Sequence, residues 1–144
     1  MPVIKRSAEV NYSAAQMYGL VDAIETYADF IPMCVASQVH ERNADEVRAS
    51  LTLAKGGMEK SFTTLNRLQP DKMIEVRLID GPFKQLEGFW LFETLNQGSR
   101  VSLHLEFEFS NFMMGMAMGP LFNQVANMLV DAFIERAGVI YGTV

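Results

Sequence analysis

Cysteine is almost absent: Cys34 is the single thiol in 144 residues, and only two histidines accompany it. One thiol closes no internal disulfide, which fits a reducing compartment. The HExxH, GxSxG, paired-cysteine and phosphate-loop signatures are all missing, so the sequence offers no recognisable catalytic or metal-binding motif. Long apolar runs are also missing. The nearest, Phe112 to Phe122, is interrupted by Gly115, Gly119 and Pro120 and falls short of the ~18 residues of a membrane span. Near Met1, Lys5 and Arg6 stand where a secretory leader would be apolar. The expectation is a cytoplasmic protein, with peripheral contact at the inner face of the membrane. Positive charge is in deficit as well. Twelve Lys and Arg against seventeen Asp and Glu leave a net −5, which argues against a uniformly basic nucleic-acid grip and against a DNA partner, while a local basic patch remains open.

Apolar volume is what the sequence has in quantity. It is 49% hydrophobic and only 20% charged, with ten Met and ten Phe, enough to fold as one domain over residues 1–144 without a metal or disulfide. Val3 to Tyr12 reads as a first strand, with Asn11 and Ser13 as candidate caps for a helix carrying Met17, Leu20, Val21 and Ile24 at helical spacing. A second short helix over Glu25 to Phe30 is stopped by Pro32. From Cys34 the period changes to two, giving strands near 34–43, 46–55, 58–69, 72–80, 85–96 and 99–110. Links this short imply antiparallel meander pairing, because parallel neighbours need long crossovers. Behind Pro120 a helix from Leu121 to Tyr141 carries an apolar stripe at 121, 122, 125, 128, 129, 132, 133, 139 and 140, with Gly142 as its C-terminal cap. A helix so poor in charge asks to be enclosed by a curved sheet.

Several strings give this element order a closer resemblance. They are Tyr27-Ala-Asp-Phe30-Ile-Pro32, Ser61-Phe62-Thr-Thr64, Asp80-Gly81-Pro82-Phe83 and Leu86-Glu-Gly88-Phe-Trp90, followed by Phe107-Glu-Phe109, Gly119-Pro-Leu-Phe122 and Asp131-Ala-Phe133-Ile-Glu-Arg136. Across the whole chain they resemble the ubiquinone-binding Coq10 family and its bacterial RatA-type relatives, within the START-like polyketide cyclase/dehydrase superfamily. Met33, Leu65, Phe89 and Leu91 depart from that family's pattern. The resemblance implies an α+β helix-grip fold, in which a curved antiparallel seven-stranded sheet wraps a long C-terminal helix and two short helices follow strand one. It also implies a non-catalytic binder of a long apolar molecule, with ubiquinone or another polyprenyl lipid as the bound ligand and support of respiratory electron transport as the role. The alternative it carries is a toxin that binds the large ribosomal subunit and blocks subunit association. A cyclase-like enzyme is a distant third.

Candidate ligand contacts follow. Trp90 and Phe92 share a strand face, and we place them toward the helix with Leu103, Leu105, Phe107, Val125, Leu129 and Phe133. Composition alone allows a solid core there, whereas the resemblance implies a ligand cavity. Thr64 and Asn66, same-face neighbours on one strand, are candidate hydrogen-bonding groups for a carbonyl. Met113, Met114, Met116 and Met118 form an adaptable segment, expected to gate the cavity together with Tyr27, Phe30, Pro32 and Phe83. Opposite Trp90, Phe89 and Leu91 point outward, either as ordinary exposed apolar side chains or as an adjacent pair forming a contact patch for self-association. His40 and His104 alternate with apolar residues on the solvent side, Cys34 reads as a buried thiol, and Arg136 has Asp80, Glu135 or a ligand oxygen as candidate partners.

Overall fold

The computed structural model describes residues 2–142. In chain order the elements are β1 (Val3–Val10), α1 (Ala14–Asp22), a 3-10 turn (Ile24–Thr26), α2 (Tyr27–Phe30), β2 (Cys34–Arg42), β3 (Glu46–Lys55) and β4 (Met58–Gln69). They continue with β5 (Met73–Asp80), β6 (Phe83–Thr94), β7 (Ser99–Phe109) and α3 (Phe112–Tyr141). The seven strands form one sheet in the order β1-β7-β6-β5-β4-β3-β2, antiparallel at every step. Strands two to seven are therefore a meander of local reversals, and β1 alone joins across the chain, beside β7. This is the helix-grip architecture: the sheet curls around α3 while α1 and α2 close its side.

Local chemistry sets the element ends. Ser13 caps α1 through a reciprocal pair: its hydroxyl accepts from the Gln16 amide at 3.0 Å, and the Gln16 side chain accepts from the Ser13 amide at 2.9 Å. Asn11 is not the cap. Ile31, ahead of Pro32, is extended and ends α2. Gly88 sits where the β7 backbone approaches β6 closely, since a Cβ there would lie 2.1 Å from the His104 carbonyl oxygen. Gly98 turns β6 into β7 at a φ of +72°, with Val10 O where a side chain would go.

The last helix differs from the sequence pattern. It begins at Phe112, not Leu121, and Pro120 lies in its interior. Asn111 caps it by accepting from the Met114 amide at 2.8 Å, and the Met and Ala that follow are strong helix formers. Helix formation is thus decided upstream of the proline. Pro120 removes one backbone donor but keeps its ring in solvent, so the helix passes through it. The methionine segment is consequently helical and not a loop. At the other end Val139 and Ile140, expected within the enclosed stripe, are exposed because the helix outruns the sheet. Tyr141 donates to the Gln16 carbonyl at 3.0 Å and Tyr12 to the Gly142 carbonyl at 2.9 Å, tying that end to α1 and to the link between β1 and α1. Gly142 does cap the helix, its N–H donating to Gly138 O.

Candidate functional site

Between the sheet and α3 lies an apolar cavity of ≈ 100 Å³. Strand alternation aims Trp90, Leu103 and Leu105 inward from β6 and β7, and helical spacing brings Val125 and Leu129 down onto them. Of the expected contacts these five line the cavity, as do Thr64, Asn66 and Tyr27. Phe92, Phe107 and Phe133 do not, and this corrects the sequence reading. Phe92 packs edge-on against Tyr18 at 5.6 Å, while Phe133 meets Tyr27, Phe30 and Trp90, each at 5.3 Å. These rings fill the core instead of facing space. Sequence reasoning missed the rest of the lining, Ala49, Leu53 and Phe62 from β3 and β4 with Ile24, Ile31 and Phe122 from the helical segments. Its signal was the same inward parity on β3 and β4, Ala49-Leu51-Leu53 and Phe62-Thr64-Asn66.

Five phenylalanines close one end. Phe83 packs on Phe109 at 5.0 Å and on Phe122 at 4.9 Å, Phe107 meets Phe122 at 4.7 Å, and Phe62 meets Phe83 at 5.8 Å. The expected gate is therefore divided. Phe83 belongs to this buried plug, Met118 is fully buried, and Phe30 is half-buried, its ring under the Arg136 guanidinium at 5.0 Å. Pro32 is exposed and Met114 half-buried, whereas Met113 and Met116 point to solvent, 80% and 66% exposed, beside Phe112 at 81%. Arg136 thus meets a ring and none of the carboxylates considered for it.

The polar content of the cavity is a single pair. Thr64 donates to Asn66 Oδ1 at 2.9 Å, both buried. The Asn66 amide nitrogen has no protein acceptor among the described residues, and every fully buried side-chain nitrogen or oxygen there has a partner, so that nitrogen faces the cavity. The Tyr27 hydroxyl is committed to the Val21 carbonyl, and burial, with Asp22 second, pushes its pKa up. Cys34 is buried at the wall, and burial likewise raises its thiol pKa. A neutral thiol, a spoken-for phenol and one free amide donor can hold an apolar ligand carrying an acceptor; they assemble no nucleophile–base pair. Among the described residues no cluster of His, Cys, Asp and Glu is arranged to hold a metal, and no helix is long and apolar enough to cross a membrane.

On the outer sheet face Phe89 stacks on His104 with ring centroids 5.2 Å apart and planes 4° from parallel. His104 also lies 3.3 Å from Glu106, and a groove of ≈ 370 Å³ runs beside them. His40, also on this face, is 2.7 Å from the Ser50 hydroxyl.

A family model described as polyketide cyclase / dehydrase and lipid transport matches residues 10–134. The ribosome association toxin RatA of Vibrio cholerae is 43% identical over 143 residues, covering 99% of both chains. The mitochondrial coenzyme Q-binding protein COQ10 of Dictyostelium discoideum is 24% identical over 140 residues, covering 94% of this chain and 68% of its own. Among solved structures, the Streptomyces aromatase/cyclase Zhui superposes with a TM-score of 0.84 at 15% identity, covering 99% of both chains, a likeness of fold alone. These findings overturn the expected role as a ubiquinone carrier for respiration. The stronger and fuller similarity is to proteins named for ribosome association, and the similarity to a coenzyme Q binder is distant. A non-enzymatic protein is in keeping with these toxins, and the fold and the distant relative support a capacity for apolar ligands.

Proposed function

We propose that this chain, which belongs to the polyketide cyclase/dehydrase and lipid-transport family and to its RatA/Coq10 branch, binds the large ribosomal subunit and blocks subunit association. One observation carries the reading: 43% identity sustained over 99% of both chains with a protein named for ribosome association. Similarity of that extent spans sheet and helices together, so it reaches beyond the shared fold to surface residues, where a binding partner is chosen. The cavity serves the same protein as a site for a small apolar ligand, with Trp90, Leu103, Leu105, Val125 and Leu129 as its contacts and Asn66 as donor to an acceptor atom.

The test is sucrose-gradient sedimentation of ribosomes with added protein. The protein is expected to travel with large subunits and to reduce the peak of joined ribosomes in proportion to its concentration. An unchanged joined peak, with the protein left at the top of the gradient, rejects the reading. Native mass spectrometry checks the cavity separately, where a mass increment lost in Leu103→Trp identifies a ligand held there.

A further inference from the structure

The outer face of the sheet carries charge of both signs, sorted by strand. Along one row in register stand Arg48 on β3, Leu65 on β4, Arg77 on β5, Glu87 on β6 and Glu106 on β7. The β3–β5 half of that row is basic and the β6–β7 half acidic. Among the described residues Arg48 and Arg77 make neither an ion pair nor a side-chain hydrogen bond. Glu87 accepts from Gln85 at 2.7 Å and Glu106 lies 3.3 Å from His104, so neither carboxylate has a Lys or Arg on it. The next row is mixed as well, with Arg67 3.5 Å from Glu46, and Glu75 directly opposite Phe89. Such a face suits neither a polyanion nor a polycation. Its centre is apolar: Met73 on β5 is directly opposite Leu91 on β6, with Leu65 and Phe89 one row away. All four are half-buried, on the side of the sheet away from α3.

Two-fold symmetry turns this arrangement into a match. Let a second copy lie face to face with the first, the two-fold axis running along the strands between β5 and β6. Strand β5 then meets β6 of the second copy, and β4 meets β7. Each Arg77 faces Glu87 of the other copy. Glu106 of the other copy comes over Leu65, between Arg48 and Arg77. Met73 and Leu91 face each other across the same axis, so the apolar centre covers itself. In the mixed row Glu46 comes opposite Lys5, while Arg67, already held by Glu46, comes opposite His104. Sheets packed face to face lie ~10 Å apart with interdigitated side chains, a gap that an arginine and a glutamate span together. Opposite signs on the two sides of an axis are what an isologous contact requires.

We propose that the outer face of β4–β7 is the contact between two copies of this chain, with reciprocal Arg77–Glu87 pairs around a Met73–Leu91 centre. The inference is independent of the ribosome reading. The sheet curls around α3, which confines the contact to the middle strands, so the interface is small and the dimer reversible.

Sedimentation velocity from micromolar to near-millimolar protein tests it. The wild-type chain is expected to pass from monomer to dimer, less readily at high salt. Arg77→Glu sets like charges against Glu87 of the second copy and lowers association roughly tenfold or more, as does Glu87→Arg. Mixing these two variants restores association, because the pair Arg77→Glu with Glu87→Arg brings opposite charges together at both ends of the contact. Leu91→Lys leaves only monomer. Circular dichroism and Trp90 fluorescence confirm that each variant is folded. A wild-type chain that stays monomeric throughout overturns the proposal, and so does a dimer that Arg77→Glu leaves unchanged. Two weakened variants that fail to associate when mixed overturn the two-fold placement. If the chain is monomeric and Arg77→Glu abolishes its sedimentation with large subunits, the face belongs to the ribosome contact, and the dimer falls while the ribosome reading stands.

Discussion

Thr64 and Asn66 are the polar exception in an apolar wall, and their bond gives them a measurable signature. Thr64→Val leaves Asn66 Oδ1 without its donor and is expected to cost about 1–3 kcal/mol in urea unfolding. Thr64→Val with Asn66→Leu removes both partners and recovers most of that loss, which would not happen if the pair merely filled space. Cys34 carries the second residue-scale prediction. Its raised pKa, caused by burial, means a smaller thiolate fraction at pH 8, so labelling by a thiol reagent is at least about tenfold slower in the native than in the unfolded protein. The sign for stability follows from the same shift. The neutral buried thiol contributes fully below the unfolded value of about 8.5, and its contribution declines as pH rises from there toward the higher folded value. Rapid native labelling would contradict the placement of Cys34.

At the scale of elements α3 is the instructive one. Its cap, its proline and its exposed first turns act independently. Asn111→Ala is expected to cost about 1 kcal/mol, the usual worth of a side-chain cap. Pro120→Ala restores a backbone donor in the helix interior and should raise stability by about 1 kcal/mol or more. Both are read from urea midpoints at unchanged slope. The methionines divide by depth. Met113→Gln and Met116→Gln alter solvent-facing side chains and stay within about 0.5 kcal/mol, whereas Met118→Gln buries an amide at a fully enclosed position and costs about 2 kcal/mol or more. Equal effects at the three positions would argue against the helical start of this segment.

For the whole molecule, the sheet presents two faces of different character. The inner face grips α3 around a small cavity, and the outer face carries the uncommitted arginines and the Phe89–His104 stack. Ala126→Leu separates them. It adds three carbons at the wall of a void of ≈ 100 Å³, so stability changes by less than about 1 kcal/mol and any ligand is excluded. Self-association is expected to be unchanged in the same variant. If it is lost while the fold is intact, cavity and surface are coupled and the two faces do not act apart.

The strands, their order and their inward faces follow from the sequence because alternation and turn chemistry are local. Val101 to Phe109 alternates so strictly that its buried face needs no partner to be identified, and Gly98 or Asn43 can only be turns. Thr64, Asn66, Trp90, Leu103 and Leu105 were legible at the cavity for the same reason, and Val125 and Leu129 through helical spacing, whereas Tyr27, expected at the gate, lines the wall. The start of α3 was not, because a proline after Gly119 reads locally as a helix beginning, while the competing cap at Asn111 and the packing of Gly115 near Phe109 lie upstream of it. Nor was the division of the phenylalanines between plug, core and wall, which depends on ring-to-ring distances set by sheet curvature. Arg48, Leu65 and Arg77 are scattered along the sequence, and only strand register sets them in one line. Periodicity fixes which way a side chain faces; tertiary structure decides what it meets, because neighbours across a sheet are chosen by pairing and not by position in the chain.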